Sequence, residues 1–81
     1  MKKIRILLDT LTQLQTFVGI CSKQPYSVFI TDGTKEFRVS AKSTLGCIMA
    51  QMEWEEVYCE YAEEHGDELE RLLEKENLVM F

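Results

Sequence analysis

Long apolar runs, prolines and histidines are scarce in this sequence. Its 81 residues include one proline, one histidine and four glycines. The longest apolar run covers only a few residues and the Met-Lys-Lys start leads into an alternating pattern. We therefore expect neither a membrane span nor a signal peptide, and a cytoplasmic location. Nine Lys and Arg against 14 Asp and Glu give a net charge of -5. Because an acidic surface repels phosphate backbones, nucleic-acid binding is not expected.

Cysteine is present only as three widely spaced residues, Cys21, Cys47 and Cys59, with no CxxC motif. An odd number at apolar-compatible positions predicts buried free thiols and no disulfide framework. Because the single histidine, His65, is distant in sequence, we expect no metal site and no cofactor. The sequence also lacks a Ser-His-Asp set, a carboxylate pair and a Gly-rich phosphate loop, which predicts a protein that is not an enzyme.

Apolar periodicity divides the chain into strands and helices. Alternation predicts strands over residues 3–8, 26–31, 36–40 and 55–62, with a hairpin turn at Asp32 and Gly33. In the third strand, Phe37 and Val39 are expected to face inward. Helical spacing predicts a helix over residues 11–22, a short helix after Ser43 and a last helix from residue 66 or 67. The expected buried stripe of the last helix is Leu69, Leu72, Leu73 and either Asn77 or Leu78.

The resulting order, βαββαβα, predicts an α+β fold. Because each helix has one apolar stripe and each strand one clearly apolar face, we expect an open-faced β-sandwich. Its four-stranded, mostly antiparallel sheet would carry three helices on one face, and residues 1–81 would form a single domain. The uncovered sheet face is expected to present the side chains of Arg5, Phe29, Arg38, Tyr58 and Glu60.

The short second helix is the most informative stretch. Ser43 precedes it as a natural N-cap, because its hydroxyl can accept an unpaired backbone N–H of the first turn. Four residues form its apolar stripe at i, i+3, i+4 and i+7: Leu45, Ile48, Met49 and Met52. This stripe is more often core, and the alternative is a surface that docks a partner.

Residues 41–46, with the sequence AKSTLG, resemble the start of the second helix of HPr, the phosphocarrier protein of the sugar phosphotransferase system. The similarity extends to Phe17-Val18, the hairpin at residues 32–33 and Asp67-Glu68, and the element order is similar too. In the family, a dedicated kinase phosphorylates the serine at the position of Ser43, and the product binds a transcriptional repressor. The resemblance also implies that Leu45 and Ile48 dock partners. The competing interpretation is that Ser43 is only an N-cap.

The family's catalytic histidine, arginine and proline are not present. Aligned through Phe17-Val18, Thr10 stands at the histidine position, Thr12 at the arginine position and Gln13 at the proline position. The adjacent Asp9 would repel a phosphate. The chain is therefore not expected to carry a phosphohistidine, and Thr10 is interpreted as a helix cap with Thr12 as a solvated residue.

These observations predict a non-catalytic HPr-like regulatory or interaction protein with Ser43 as its phosphorylation site. Its expected partners are proteins such as a serine kinase or a transcriptional regulator. The first alternative is a domain that binds an anion or small ligand at residues 9–12 and at the start of the second helix. The second is a homo-oligomer built on the uncovered sheet face.

Overall fold

The computed structural model of the chain describes residues 1–34 and 37–80. The strands are β1 (Lys2–Ile6), β2 (Phe29–Thr31), β3 (Arg38–Ser40) and β4 (Val57–Tyr61). The α-helices are α1 (Leu11–Ser22), α2 (Thr44–Glu53) and α3 (Glu68–Lys75), and a 3-10 turn at Glu63–His65 precedes α3. The order of strands and α-helices is therefore the predicted βαββαβα.

The strands form one antiparallel sheet in the order β1-β4-β2-β3. Cys59 of β4 lies opposite Ile4 on one side and Ile30 on the other, so these side chains share one face. That face is buried against the helices, with Ile30, Cys59 and Tyr61 fully inaccessible. The predicted α+β open-faced sandwich is thus confirmed.

β2 and β3 are shorter than the alternation predicts. Their ladder runs from the Phe29–Ser40 pair to the Thr31–Arg38 pair, and the Ala41 N–H donates to Val28 O at 2.8 Å just beyond it. Residues 26–28 alternate in sequence but lie outside β2, which begins at Phe29. An alternating pattern predicts an extended chain, and it does not show how many residues pair with a neighbouring strand. The predicted start of the third strand, Glu36, lies outside the described residues.

The prediction that Phe37 faces inward is wrong. Its side chain is 58% exposed, whereas Val39 is half-buried and packs against the core. β3 is an edge strand of the sheet, and α2 packs on it. The helix covers Val39, whereas Phe37 lies at the margin of the sheet and is exposed.

The chain after α3 returns to the sheet, which sequence analysis did not predict. Asn77 adopts a positive φ of 59° and ends the helix, so Leu78 and not Asn77 is buried. Val79 bridges to Ile6, the Leu7 N–H donates to Leu78 O at 2.8 Å, and the Met80 N–H donates to Arg5 O at 2.9 Å. Residues 78–80 thereby cover the outer edge of β1.

Lys2 attaches β1 to the start of α3. Its ammonium donates a hydrogen bond to Asp67 and lies 2.7 Å from the Glu70 carboxylate. The hydrogen bonds to Asp67 and Glu70 raise the pKa of Lys2 above its usual value, and the hydrogen bond from Lys2 lowers the pKa of Asp67.

The uncovered sheet face carries the predicted mixture of aromatic and charged side chains. The Arg38 guanidinium lies over the Phe29 ring at 3.9 Å from its centroid, and its Nε is 3.4 Å from Glu60 Oε1. The Tyr58 hydroxyl donates to Glu56 at 3.0 Å. Many of the charges on this face are thus paired within the chain itself.

Candidate functional site

Ser43 is the N-cap of α2, as predicted. The Gly46 N–H donates to Ser43 Oγ at 3.1 Å, and the Ser43 N–H donates to Ser40 O at 3.1 Å. The residue has extended backbone angles and is exposed. A β-carbon on Gly46 would lie 3.3 Å from Ser43 Oγ and 3.4 Å from Val39 Cβ, so glycine permits α2 to approach β3 closely.

Lys42 fixes the approach to α2 through a contact with the end of α1. Its Nζ donates to Gln24 O at 2.7 Å, and its backbone N–H donates to Ser40 Oγ at 3.2 Å. The start of α2 therefore has a cation in the residue before its N-cap. A positive charge here adds to the positive end of the helix dipole.

α2 turns its large apolar side chains outward and its small ones inward. Leu45 is 78% exposed, Met52 80% and Met49 43%, whereas Cys47 and Ala50 are fully buried. Since successive residues turn by about 100° around a helix, the exposed stripe is opposite the buried one. The interpretation of the stripe as core is therefore wrong for these three residues. We call the exposed stripe together with Ser43 and the half-buried Ile48 the outer surface of α2.

Of the two predicted docking residues, Leu45 is thus largely exposed to solvent and Ile48 is exposed only in part. Ile48 packs against the core from its margin. The exposure of Met49 and Met52 adds two flexible apolar side chains, which suit a surface that contacts another protein. The exposure of Met49 and Met52 was not predicted, because an apolar stripe shows that a helix is amphipathic without showing which of its sides packs on the sheet.

The start of α1 is closed by a capping box. The Gln13 N–H donates to Thr10 Oγ1 at 3.1 Å, and Gln13 Oε1 accepts from the backbone N–H groups of Thr10 at 3.0 Å and Asp9 at 2.8 Å. The predicted role of Thr10 as a cap is confirmed, and Thr12 is exposed as predicted. Because the Gln13 side chain occupies two of the donors here, an anion would have to displace it.

Gln51 connects α2 with the chain at the start of α1. Its Nε2 donates to Leu8 O at 2.6 Å and to Thr10 O at 3.0 Å. α2 is thereby held beside the start of α1, and the outer surface of α2 has a fixed position relative to Thr10. Nothing in the apolar pattern indicates this contact, since it depends on one polar side chain.

His65 lies away from Thr10. Its ring stacks on Tyr26 with centroids 3.8 Å apart and an interplanar angle of 5°. Tyr26 follows the end of α1, whereas Thr10 precedes its start, and a helix of 12 residues is about 18 Å long. The histidine therefore cannot replace a catalytic group at Thr10.

The three cysteines are buried free thiols, as predicted. Cys47 Sγ donates to Ala41 O at 3.7 Å, and burial raises the pKa of the Cys47 thiol to about 11. A hydrogen bond with Cys21, together with burial, raises the pKa of Cys59. Such thiols are inert, because the thiolate is the nucleophile.

Among residues 1–34 and 37–80, no group of three or more His, Cys, Asp or Glu side chains is arranged to hold a metal ion. Within the same ranges, no helix has the length and apolar character needed to cross a bilayer.

Comparison with known proteins gives no relative. No family model, no curated protein and no solved structure matches this chain. The resemblance to HPr remains a prediction from the residues quoted above.

Proposed function

We propose that this chain is a non-catalytic, HPr-like regulatory protein that binds another protein through the outer surface of α2, with Ser43 as its point of control. The observation that carries the proposal is the orientation of α2, which exposes Leu45 and Met52 and buries Cys47 and Ala50. Exposed apolar side chains grouped on one surface are typical of protein interaction sites.

The position of Ser43 supports its role as the point of control. Ser43 is exposed, and its hydroxyl accepts the backbone N–H of Gly46 in the first turn of α2. A phosphoryl group at a helix N-terminus gains hydrogen bonds and a favourable dipole, and it adds a charge of about -1.5 to -2. Modification would thus place an anion beside Leu45 and favour a partner with arginines next to an apolar patch.

Both alternative functions are less well supported. An anion site at residues 9–12 would compete with the Gln13 side chain and with the exposed Asp9 carboxylate. At the start of α2, the neighbouring cation Lys42 already donates its ammonium to Gln24 O. A homo-oligomer through the uncovered sheet face would cover Arg38 and Glu60, which already pair with one another. We therefore favour a cytoplasmic protein whose partners are a serine kinase and a transcriptional regulator.

Intact-mass spectrometry after two separate incubations tests the proposal. One incubation contains the HPr serine kinase and ATP, and the other contains the phosphoenolpyruvate-dependent enzyme that charges HPr. We expect one phosphoryl adduct with the kinase, lost in Ser43→Ala and retained in the matched control Thr44→Ala. An acid-labile adduct from the second enzyme would show that carrier chemistry persists and would overturn the non-catalytic assignment.

Binding is tested with the phosphorylated chain and the purified HPr-dependent repressor. Leu45→Glu and Met52→Glu should each weaken binding by about tenfold or more, since a charge replaces an apolar anchor. Lys75→Glu, at an exposed position on α3, serves as the control. Equal loss with all three variants, or no binding by the phosphorylated chain, would contradict the proposal.

A further inference from the structure

The two outer edges of the sheet differ. Residues 78–80 cover the outer edge of β1 by hydrogen bonds to Arg5 and Leu7. β3 is the opposite edge. Because the Ala41 N–H bonds to Val28 O, the antiparallel alternation directs the polar backbone groups of Val39 towards Ile30 and those of Arg38 and Ser40 outward.

The outward groups are available for pairing. The Ser40 carbonyl accepts the Ser43 N–H, which confirms that it turns away from β2. Within the described chain, the Arg38 and Ser40 N–H groups and the Arg38 carbonyl have no other strand beside them. Such an edge is a template for an additional strand.

A cleft lies directly beside this edge. It has a volume of about 340 Å³, and its walls include Phe37, Val39, Met49 and Trp54. Phe37 and Met49 are 58% and 43% exposed, so the cleft is open to solvent. Its size and apolar walls suit one large aliphatic or aromatic side chain.

The charge around the cleft is negative. Glu53 stands at its rim, and a neighbouring concavity that also includes Trp54 is lined by four carboxylate residues: Asp32, Glu53, Glu55 and Glu56. Glu56 is already paired with Arg5 at 3.6 Å, so the excess negative charge comes from the other three. Among the described residues that line the cleft, the cation is Arg38, which is paired with Glu60 and stacked on Phe29. A ligand of complementary charge is therefore basic.

We propose that β3 and this cleft bind an extended basic segment of a partner protein by strand addition. The segment pairs its backbone with Arg38 and Ser40, inserts an apolar side chain between Phe37 and Trp54, and directs Lys or Arg side chains to the carboxylates. Backbone pairing gives affinity and the alternate side chains give specificity in this mode. The site needs no phosphoryl group at Ser43 and is independent of the function proposed above.

Charge favours a basic segment over a second copy of this chain. Two copies of the chain each carry a net charge of -5, so repulsion at long range opposes their association. The same charge attracts a basic segment.

The test uses short end-blocked peptides that alternate threonine and lysine around one central apolar residue: leucine, valine, phenylalanine or tyrosine. Binding is followed by the fluorescence of Trp54, the only tryptophan, and by the amide NMR signals of Arg38 and Ser40. Two matched probes carry glutamate in place of lysine, or N-methyl groups on the amides that would face β3. We expect the basic peptides to bind and both matched probes to fail.

Protein variants locate the site. Phe37→Ala should weaken binding by about tenfold and Glu53→Lys by about fivefold, since each removes a contact and the second adds repulsion. Met52→Ala, an equally exposed apolar truncation on the outer surface of α2, should change binding by less than about twofold. Ser43→Ala should also leave it unchanged, which separates this proposal from the one above.

Several results would overturn the proposal. One is the absence of shifts at Arg38 and Ser40 with all the basic peptides at millimolar concentration. Another is equal binding of the glutamate or N-methylated probes. A third is a shift of these amide signals with protein concentration alone, accompanied by dimers in light scattering, since a second copy would then occupy the edge.

Discussion

Truncating Leu45 to alanine tests the orientation of α2 when compared with the same truncation at Leu73. Both leucines lie in helices, but Leu45 is 78% exposed and Leu73 is fully buried. Leu73→Ala should lower the free energy of unfolding by about 2 to 5 kcal/mol, because it removes buried carbon atoms and leaves a cavity. Roughly one fifth of Leu45 is covered, so its truncation should cost about 0.5 kcal/mol, partly offset by the higher helix propensity of alanine.

The assay is urea unfolding followed in parallel by Trp54 fluorescence and far-UV circular dichroism. With an m-value of about 1 to 2 kcal/mol/M for a small domain, the urea midpoints of the two variants should differ by about 0.8 M or more. A cost above about 1.5 kcal/mol for Leu45→Ala would refute the outward orientation of the stripe. Repeating the measurement at several protein concentrations shows whether such a cost comes from a dimer that buries Leu45.

Two further predictions concern the cap of α1 and the buried thiol and phenol groups of Cys47 and Tyr61. Thr10→Ala should lower the free energy of unfolding by about 1 kcal/mol because the capping box is lost, whereas Thr12→Ala should change it by less than about 0.5 kcal/mol; both are measured by urea unfolding. Burial raises the pKa of Cys47 from 9.0 to about 11 and that of Tyr61 from 10.0 to about 12. The folded state therefore keeps these two protons to a higher pH than the unfolded chain does. The resulting contribution to the free energy of unfolding is fully present below pH 9 and falls as the pH rises towards 12. Urea midpoints measured across this range test the prediction, and a flat profile from about pH 8 to 11 would contradict it.

Capping residues and apolar spacing correctly predicted α1 and the buried face of β4, because these signals lie within each element. α1 begins after the Thr10 cap and ends at Ser22 as expected, because capping and apolar spacing are both local. β4 buries Val57, Cys59 and Tyr61 on one face, as alternation requires. The extents of β2 and β3 depend instead on which residues find a partner across the ladder, and alternation does not contain that information.

Contacts made by single residues far apart in sequence were not predictable in the same way. The bridge from Val79 to Ile6 leaves no periodic pattern, and the expected stripe of α3 ended at Asn77 or Leu78. The hydrogen bonds from Gln51 to Leu8 and Thr10 depend on one amide side chain in an otherwise apolar helix. The bridge covers the outer edge of β1, and the Gln51 contacts hold α2 beside the start of α1.

The small residues of α2 indicate which side of the helix packs on the sheet. Gly46, Cys47 and Ala50 fall on one side of the helix, and a β-carbon on Gly46 would lie 3.4 Å from Val39 Cβ. So close an approach leaves no room for leucine or methionine beneath the helix. The apolar stripe indicated amphipathic character correctly, but the distance between helix and sheet decides which side is buried.

The charges beside the two helix starts give a physical reason for placing control at Ser43 and not at Thr10. Both helices begin with a hydroxyl N-cap that accepts a first-turn N–H. At α1 the preceding residue is Asp9, whose carboxylate opposes a second anion, and Gln13 occupies the nearby donors. At α2 the preceding residue is Lys42, and the outer surface begins within one turn of the cap. Since the dipole at each start is similar, the sign of the neighbouring charge favours a phosphoryl group at Ser43 over one at Thr10, and the proposal for Ser43 rests on this difference.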